Sequence, residues 1–288
     1  MQISARNYNS DPMETFERIL VACGPDLANH VRPGTAAETA ARMLWIEAGG
    51  NVDQFVRWLK RYLAGDQPEY ILGWQLFDGV RYHADRRAYI AQDDSLAFLD
   101  RLVAEAQRLV VLRRRALRIC EVGVGGGAFL CALSRRCAAA ALPVLDWLGL
   151  DIDGAALNVA AINCEMAQLR VRLIESDILA ELETDAAPDM IFAYPPWGNR
   201  FAPGDRFTGT EWELFHRALP QISCYVVGGE TRVHEEILEQ AHRRFPGSEV
   251  HIFNDYLPQS EIDRVLALHP NLMVEPCGPS MTAFAKRG

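Results

Sequence analysis

Between Ile119 and Phe129 an apolar run, Ile-Cys-Glu-Val, passes straight into a loop carrying Gly123, Gly125, Gly126 and Gly127, and then into a helix-forming stretch. A strand, a glycine-rich loop and a helix in that order make one βα turn. Glycine lets the backbone bend sharply and approach a ligand with no Cβ in the way. The N–H groups at the start of the following helix favour an anionic ligand group, such as a pyrophosphate in a dinucleotide site. A purely structural turn uses glycine in the same manner, so the loop acquires meaning only from its surroundings.

Those surroundings alternate. After a helix expected over 94–111, strands are expected over 118–122, 144–151, 171–175, 190–194, 224–228, 249–253 and 282–285. Helices are expected between most of them, notably over 128–136, 154–166, 211–219 and 233–245. Such alternation implies an α/β fold whose mostly parallel sheet is covered on both faces. The last strand, on a short connection, fits an antiparallel edge. The amino-terminal stretch differs. Phe16, Ile19, Leu20 and Cys23 share one helical face, Ala40, Met43, Leu44 and Ala48 a second, and Phe55, Trp58, Leu59 and Tyr62 a third. Pro33-Gly34 and Gly49-Gly50 separate them, with Thr35 and Asn51 as expected caps. Asp78-Gly79, between two alternating runs, marks a tight hairpin. The expected organisation is a helical domain over 1–67, a linker and hairpin over 68–93, and a ligand-binding α/β domain over 94–288.

Bulk properties exclude several classes. A net charge of -9 disfavours sequence-independent binding to nucleic acid, which draws its affinity from Lys and Arg. The basic run Arg113-Arg114-Arg115 reads as the solvated end of a helix. Cys23, Cys120, Cys131, Cys137, Cys164, Cys224 and Cys277 show no metal spacing and are odd in number, which fits thiols in a reducing cytoplasm. The histidines likewise show no metal or triad spacing, so no metal is expected. The first residues are polar, unlike a signal peptide, and no apolar run approaches the roughly 20 residues that span a bilayer. A cytoplasmic protein with no membrane partner is expected.

Two acidic residues give the glycine loop its meaning. Asp151 ends the second strand of the α/β domain, where a carboxylate can accept from both hydroxyls of a ribose. Asp153 is placed to cap the next helix instead. Asp177 follows the third strand, where it can reach an adenine amino group or simply close a turn. Ile152 and Ile178 flank these carboxylates on the same sheet edge, where ligands of open α/β sheets bind. The spacing Glu121-x-Gly123-x-Gly125-x-Gly127 argues against a nicotinamide dinucleotide, as does the stretch after the fourth strand, Ile191-Phe-Ala-Tyr-Pro-Pro-Trp197.

At Tyr194-Pro195-Pro196-Trp197 the chain resembles the HemK/PrmC-type methyltransferases, which modify the glutamine amide of release factors. It also resembles the wider group of amino-methyltransferases with an Asn/Asp-Pro-Pro-aromatic motif. Pro68-Glu-Tyr-Ile-Leu-Gly73 looks like that family's linker, and the stretch from Asp151 to Asn163 like its second motif and helix. The resemblance implies a Rossmann-like class I methyltransferase sheet behind a small helical domain, with S-adenosylmethionine as cofactor. It implies that Glu121, Gly123 and Gly125, in the loop that Gly127 closes, hold the methionine part of the cofactor. Asp151 with Ile152 would hold the ribose, and Asp177 with Ile178 the adenine side.

Departures fall on the acceptor side. The family's Asn is Tyr194, whose single hydroxyl cannot reproduce paired amide contacts. The closing aromatic is Trp197, and Ile90-Ala-Gln-Asp-Asp-Ser95 replaces the usual entry to the first catalytic helix. Pro195 and Pro196 fix the backbone and remove two donors, leaving a rigid pocket wall. Phe192, Tyr194 and Trp197 can box a cationic sulfonium with their ring faces. Trp74, Phe77 and Tyr82 either line an acceptor cleft or pack the hairpin. The expected activity is methyl transfer to a nitrogen of a small-molecule or peptide acceptor other than release-factor glutamine. An alternative keeps the cofactor as the sole substrate, cyclised to azetidine-2-carboxylic acid or cleaved by a lyase, with methylthioadenosine released. A non-catalytic binding module is disfavoured by the intact glycine loop and both carboxylates.

Overall fold

Thr35 and Asn51 cap the helices that follow them: the Thr35 hydroxyl accepts from the Glu38 N–H at 3.2 Å, and the Asn51 side-chain oxygen from the Gln54 N–H at 3.0 Å. The computed structural model describes residues 12–22, 31, 35–196, 198, 217–254, 257–277 and 281–288. Contacts divide the chain into two units, Met1–Gly73 and Trp74–Gly288. The first holds α1 (Pro12–Ala22), α2 (Ala36–Glu47), α3 (Val52–Leu63) and the short α4 (Pro68–Leu72). Phe16, Ile19, Leu44, Phe55 and Leu59, from the faces that periodicity marked, meet in its core with Trp45.

The second unit opens with a hairpin, β1 (Trp74–Phe77) and β2 (Val80–His83). Both turn residues, Asp78 (φ 49°) and Gly79 (φ 72°), are left-handed, which matches the twist of tight hairpins. Then follow α5 (Leu96–Arg113), β3 (Leu117–Val122), α6 (Ala128–Ala139), β4 (Val144–Asp151), α7 (Gly154–Met166), β5 (Arg172–Glu175) and β6 (Met190–Ala193). The remaining elements are α8 (Arg232–Arg244), β7 (Glu249–Phe253), α9 (Gln259–Leu268), β8 (Met273–Pro276) and β9 (Thr282–Lys286). The sheet runs β5-β4-β3-β6-β7-β9-β8. Only β9 is reversed, and it lies between β7 and the edge strand β8. This is the mostly parallel α/β sheet the alternation implies.

Alternation along the central strands decides which residues face which layer. Ile119, Met190 and Phe192 pack with Phe98, Leu102 and Phe129 on one face. Cys120, Val122, Ile191 and Ala193 pack with Ile237, Leu238 and Ile262 on the other.

One expectation needs correction. The strand expected over 224–228 does not form: Tyr225 makes an isolated bridge to Gly198, and two left-handed glycines, Gly228 and Gly229, end the run. Both edges of β6 are already taken, by β3 and β7, so no central slot is open to it. The helix expected over 211–219 lies largely outside the described residues. The run Arg113-Arg114-Arg115 ends a helix with Arg114 and Arg115 exposed, as expected, and from there Arg115 holds both oxygens of the buried Asp189 while Arg113 donates to the Gly247 carbonyl at 2.7 Å. None of the six described cysteines is in a disulfide, and among the described residues no helix is long and apolar enough to cross a membrane.

Candidate active site

Where β3 ends, the Gly123 and Val124 N–H groups both donate to the Leu150 carbonyl of β4, at 2.8 and 2.9 Å. This folds the loop back across the carboxyl edge of the sheet. Gly123 (φ 73°) and Gly125 (φ 51°) are left-handed, and a Cβ on either would meet nothing within 4 Å. The space in front of them is open for a ligand. Gly127 is different: a Cβ there would sit 3.1 Å from Ala160, so this glycine lets α6 pack on α7. Asp151 braces the loop, taking the Gly125 N–H at 2.7 Å on one oxygen and the Asp153 N–H at 3.0 Å on the other. Asp153 caps α7 through the Ala155 N–H at 2.8 Å, the role expected of it.

These groups open on a cavity of about 450 Å³. Its walls take in Glu121, Gly123, Gly125, Gly127, Asp151, Ile152, Asp177, Ile178, Tyr194, Pro195 and Pro196. The sequence-predicted residues therefore converge on one space, except Trp197, which lies outside the described residues. Ile152 is 53% exposed at the rim and offers a flat apolar face. Ile178 is left-handed (φ 59°), a costly conformation for a β-branched residue. It is held by the Ser176 hydroxyl, which donates to the Ile178 carbonyl at 3.0 Å, and by Gln240 of α8, which accepts the Leu179 N–H at 3.0 Å.

The wall carries the carboxylates of Glu121 and Asp151 together with Arg87 and Arg232. Glu121 is 2% exposed, and its Oε2 has no hydrogen-bond partner. Burial above all, then the nearby Cys164 and Asp151, push its carboxyl well above the ordinary range. Burial also raises Asp151, against the N–H groups of Asp153 and Gly125. A buried carboxylate oxygen without a partner is costly. A ligand that brings an ammonium to Glu121 and hydroxyls to Asp151 supplies what is missing, and the open cradle leaves room for it.

Opposite the loop, Tyr194 stands edge-to-face with Phe253 at 4.9 Å and with Tyr89 at 6.2 Å between ring centroids. Phe192 does not join it. That ring is fully buried, packs on Phe129 at 5.7 Å and is absent from the cavity wall, so its expected place in an aromatic box is withdrawn. Phe192 lies within β6, packed under α5 and α6, whereas Tyr194 stands just past the strand's carboxyl end, where the cavity opens. Phe192→Ala is accordingly expected to cost about 3–5 kcal/mol of stability by opening a cavity. Denaturant unfolding checks this, and a loss below about 1 kcal/mol would mean the ring is not core. Phe77 and Tyr82 are buried in the same core, so hairpin packing accounts for them. Spacing gave no hint of Tyr89, Ile222, Tyr225 or Arg232, which line the cavity from segments without a motif. Glu105, Glu249 and His251 bring ligand atoms within 4.8 Å of one another. Arg101, Arg108 and Arg287 hold those carboxylates, and none of the three residues lines the cavity.

No protein-family model matches the chain. A release factor glutamine methyltransferase of Lactococcus lactis is 30% identical over 138 residues, covering 48% of this chain and 46% of the relative. A ribosomal protein uL3 glutamine methyltransferase of Bordetella pertussis is 33% identical over 136 residues, 47% of this chain and 43% of the relative. The matched stretch is thus under half the length of these curated relatives. Their names give no support to the expectation that the Tyr194 change excludes release-factor glutamine. Among solved structures, the hMettl16 catalytic domain in complex with MAT2A 3'UTR hairpin 1 is similar with a TM-score of 0.52 at 14% identity, over 100% of this chain and 96% of that one. The chain is related in sequence to glutamine methyltransferases of the HemK/PrmC type and has the class I methyltransferase fold.

Proposed function

We propose that this chain is an S-adenosylmethionine-dependent methyltransferase acting on a nitrogen of a peptide or small-molecule acceptor. One observation carries the proposal: the partnerless Glu121 oxygen and the Asp151-braced loop face the same cavity as Tyr194, Pro195 and Pro196. The names of the relatives favour a glutamine side-chain amide of a protein as that nitrogen, release-factor glutamine included.

When bound, S-adenosylmethionine supplies a methyl group made electrophilic by its sulfonium. Glu121 accepts from the ammonium of the methionine part, and Asp151 accepts from the ribose hydroxyls. Asp177 would take the adenine amino group, with Ile178 on that side and Ile152 beside Asp151 at the ribose. Tyr194, Pro195 and Pro196 shape the acceptor side. Their work is alignment: nucleophile, methyl and sulfur must come into line at near-attack distance, with water kept out. The charge of the sulfonium disperses as the methyl moves, so a rigid, moderately polar wall suffices. An amine acceptor attacks as the neutral base and loses its proton afterwards. An amide nitrogen has a delocalised lone pair, and the Tyr194 hydroxyl offers it one hydrogen bond in place of the pair an Asn supplies.

The test is incubation of the purified chain with S-adenosylmethionine, with and without a cell extract, followed by mass spectrometry of the nucleosides. S-adenosylhomocysteine appearing only with extract is expected. Methylthioadenosine formed without extract, and lost in Asp151→Ala, would instead show the cofactor to be the sole substrate. Tyr194→Asn is expected to lower turnover with extract about tenfold or more, and Tyr194→Phe less, since the phenyl ring keeps its contacts with Phe253 and Tyr89. Equal turnover by Tyr194→Asn and the unaltered chain would remove the aromatic wall from the mechanism.

A further inference from the structure

Residues 83–91 join the hairpin to α5, and three buried or half-buried groups fasten them. Asn163, fully buried on α7, accepts the His83 N–H at 2.7 Å and donates to the His83 carbonyl at 3.0 Å. The same amide donates to the Gly126 carbonyl at 2.8 Å, within the cofactor loop. It therefore pairs with β2 as another strand would, while holding the glycine loop with its remaining donor. Asp85 then tightens the chain by accepting the Arg87 N–H at 2.9 Å through its side chain and the Ala88 N–H at 3.2 Å through its carbonyl. At the far end the buried Gln75 accepts the Ala91 N–H at 2.7 Å.

What the fastening delivers is a wall. Arg87, Ala88, Tyr89 and Ala91 all line the cavity. The Ala88 methyl lies only 3.2 Å from where a Cβ on Gly126 would be, and Ala88 packs with Ala156 and Val159 of α7. Tyr89, the next residue, carries the ring that meets Tyr194. We propose that residues 83–91 form a wall of the cofactor and acceptor site, and that Asn163 is the positioning residue that registers this wall against the glycine loop. The proposal rests on the cofactor assignment above and adds to it.

The test uses the full chain and S-adenosylhomocysteine, titrated by calorimetry. Gly126→Ala leaves the hydrogen bonds of Asn163 in place and pushes Ala88, because Gly126 does not use the left-handed conformation. Overpacking of this size is expected to raise Kd about fivefold or more. Adding Ala88→Gly to that variant is expected to return Kd to within about twofold of the unaltered chain. A merely structural role predicts the opposite, since the second glycine would only loosen the chain further. Asn163→Leu is expected to raise Kd about tenfold or more, measured well below its unfolding temperature. Unchanged affinity in Gly126→Ala, or a loss that Ala88→Gly does not repair, would overturn the proposal. Failure of the unaltered chain to bind would instead overturn the cofactor assignment, and is seen before any variant is made.

Discussion

Asp151→Ala is expected to weaken S-adenosylhomocysteine binding about a hundredfold or more, with a smaller loss of stability. The carboxylate has two tasks. It takes the backbone N–H groups of Gly125 and Asp153, holding the loop in its cradle shape, and its remaining lone pairs face the cavity. Truncation leaves the Gly125 N–H without its acceptor and removes both contacts to a ribose. Hydrogen bonds to a charged group are worth about 1.5–3 kcal/mol each, so losing two in one step reaches that magnitude. Asp151→Asn separates the tasks. It keeps one oxygen, but its NH₂ must confront an N–H donor, so an intermediate affinity is expected. Calorimetry gives the affinities and thermal unfolding gives the stabilities. Binding by Asp151→Ala within about tenfold of the unaltered chain would take the ribose away from this residue.

Glu121→Gln is expected to move stability and affinity in opposite directions. In the ligand-free chain the Glu121 carboxyl lies well above its ordinary range because it is buried among negative neighbours. The native state therefore holds this proton more tightly than the unfolded state does. The sign follows by linkage: the group costs stability as pH rises above its unfolded value of about 4.3, increasingly so until the raised native value is reached, and constantly thereafter. A neutral Gln escapes that cost, so the variant gains thermal stability over the unaltered chain, and the gap widens with pH across that window. Binding runs the other way. A ligand ammonium prefers the ionised carboxylate, so binding releases a proton and strengthens with pH up to the native value. The Gln variant loses that charge-assisted bond, worth about 10- to 100-fold in Kd, and the proton release with it. Titrations in two buffers of different ionisation heat measure the release. A variant that binds as tightly as its parent, with proton release unchanged, would remove the ammonium from Glu121.

The glycine loop was legible because it is local. Strand, glycines and helix are consecutive, and Asp151 is recognised by its place at the end of a strand. The hairpin turn and the Thr35, Asn51 and Asp153 caps are read from a few adjacent residues for the same reason. Strand formation was less legible. Residues 224–226 have the composition of a strand, yet a strand exists only where a neighbour has an unpaired edge, and β6 has none to give. The converse error hides β8, whose half-exposed residues show little alternation because the strand sits at the sheet's edge. Aromatic residues near a motif invite a common role, but Phe192 and Tyr194 were separated by the sheet: one sits wholly in the core, the other at the strand's end against the cavity.

By itself the sequence determined the α/β alternation, the glycine cradle and the two carboxylates at its edge, since each depends on interactions spanning only a few residues. Only the tertiary structure decided that the reversed last strand, β9, would lie between β7 and β8 and not at the edge, that Glu121 would be left with a partnerless oxygen, and that Asn163 would tie the glycine loop to β2. Those outcomes depend on which groups remain unpaired after distant segments have packed, and no spacing along the chain records that.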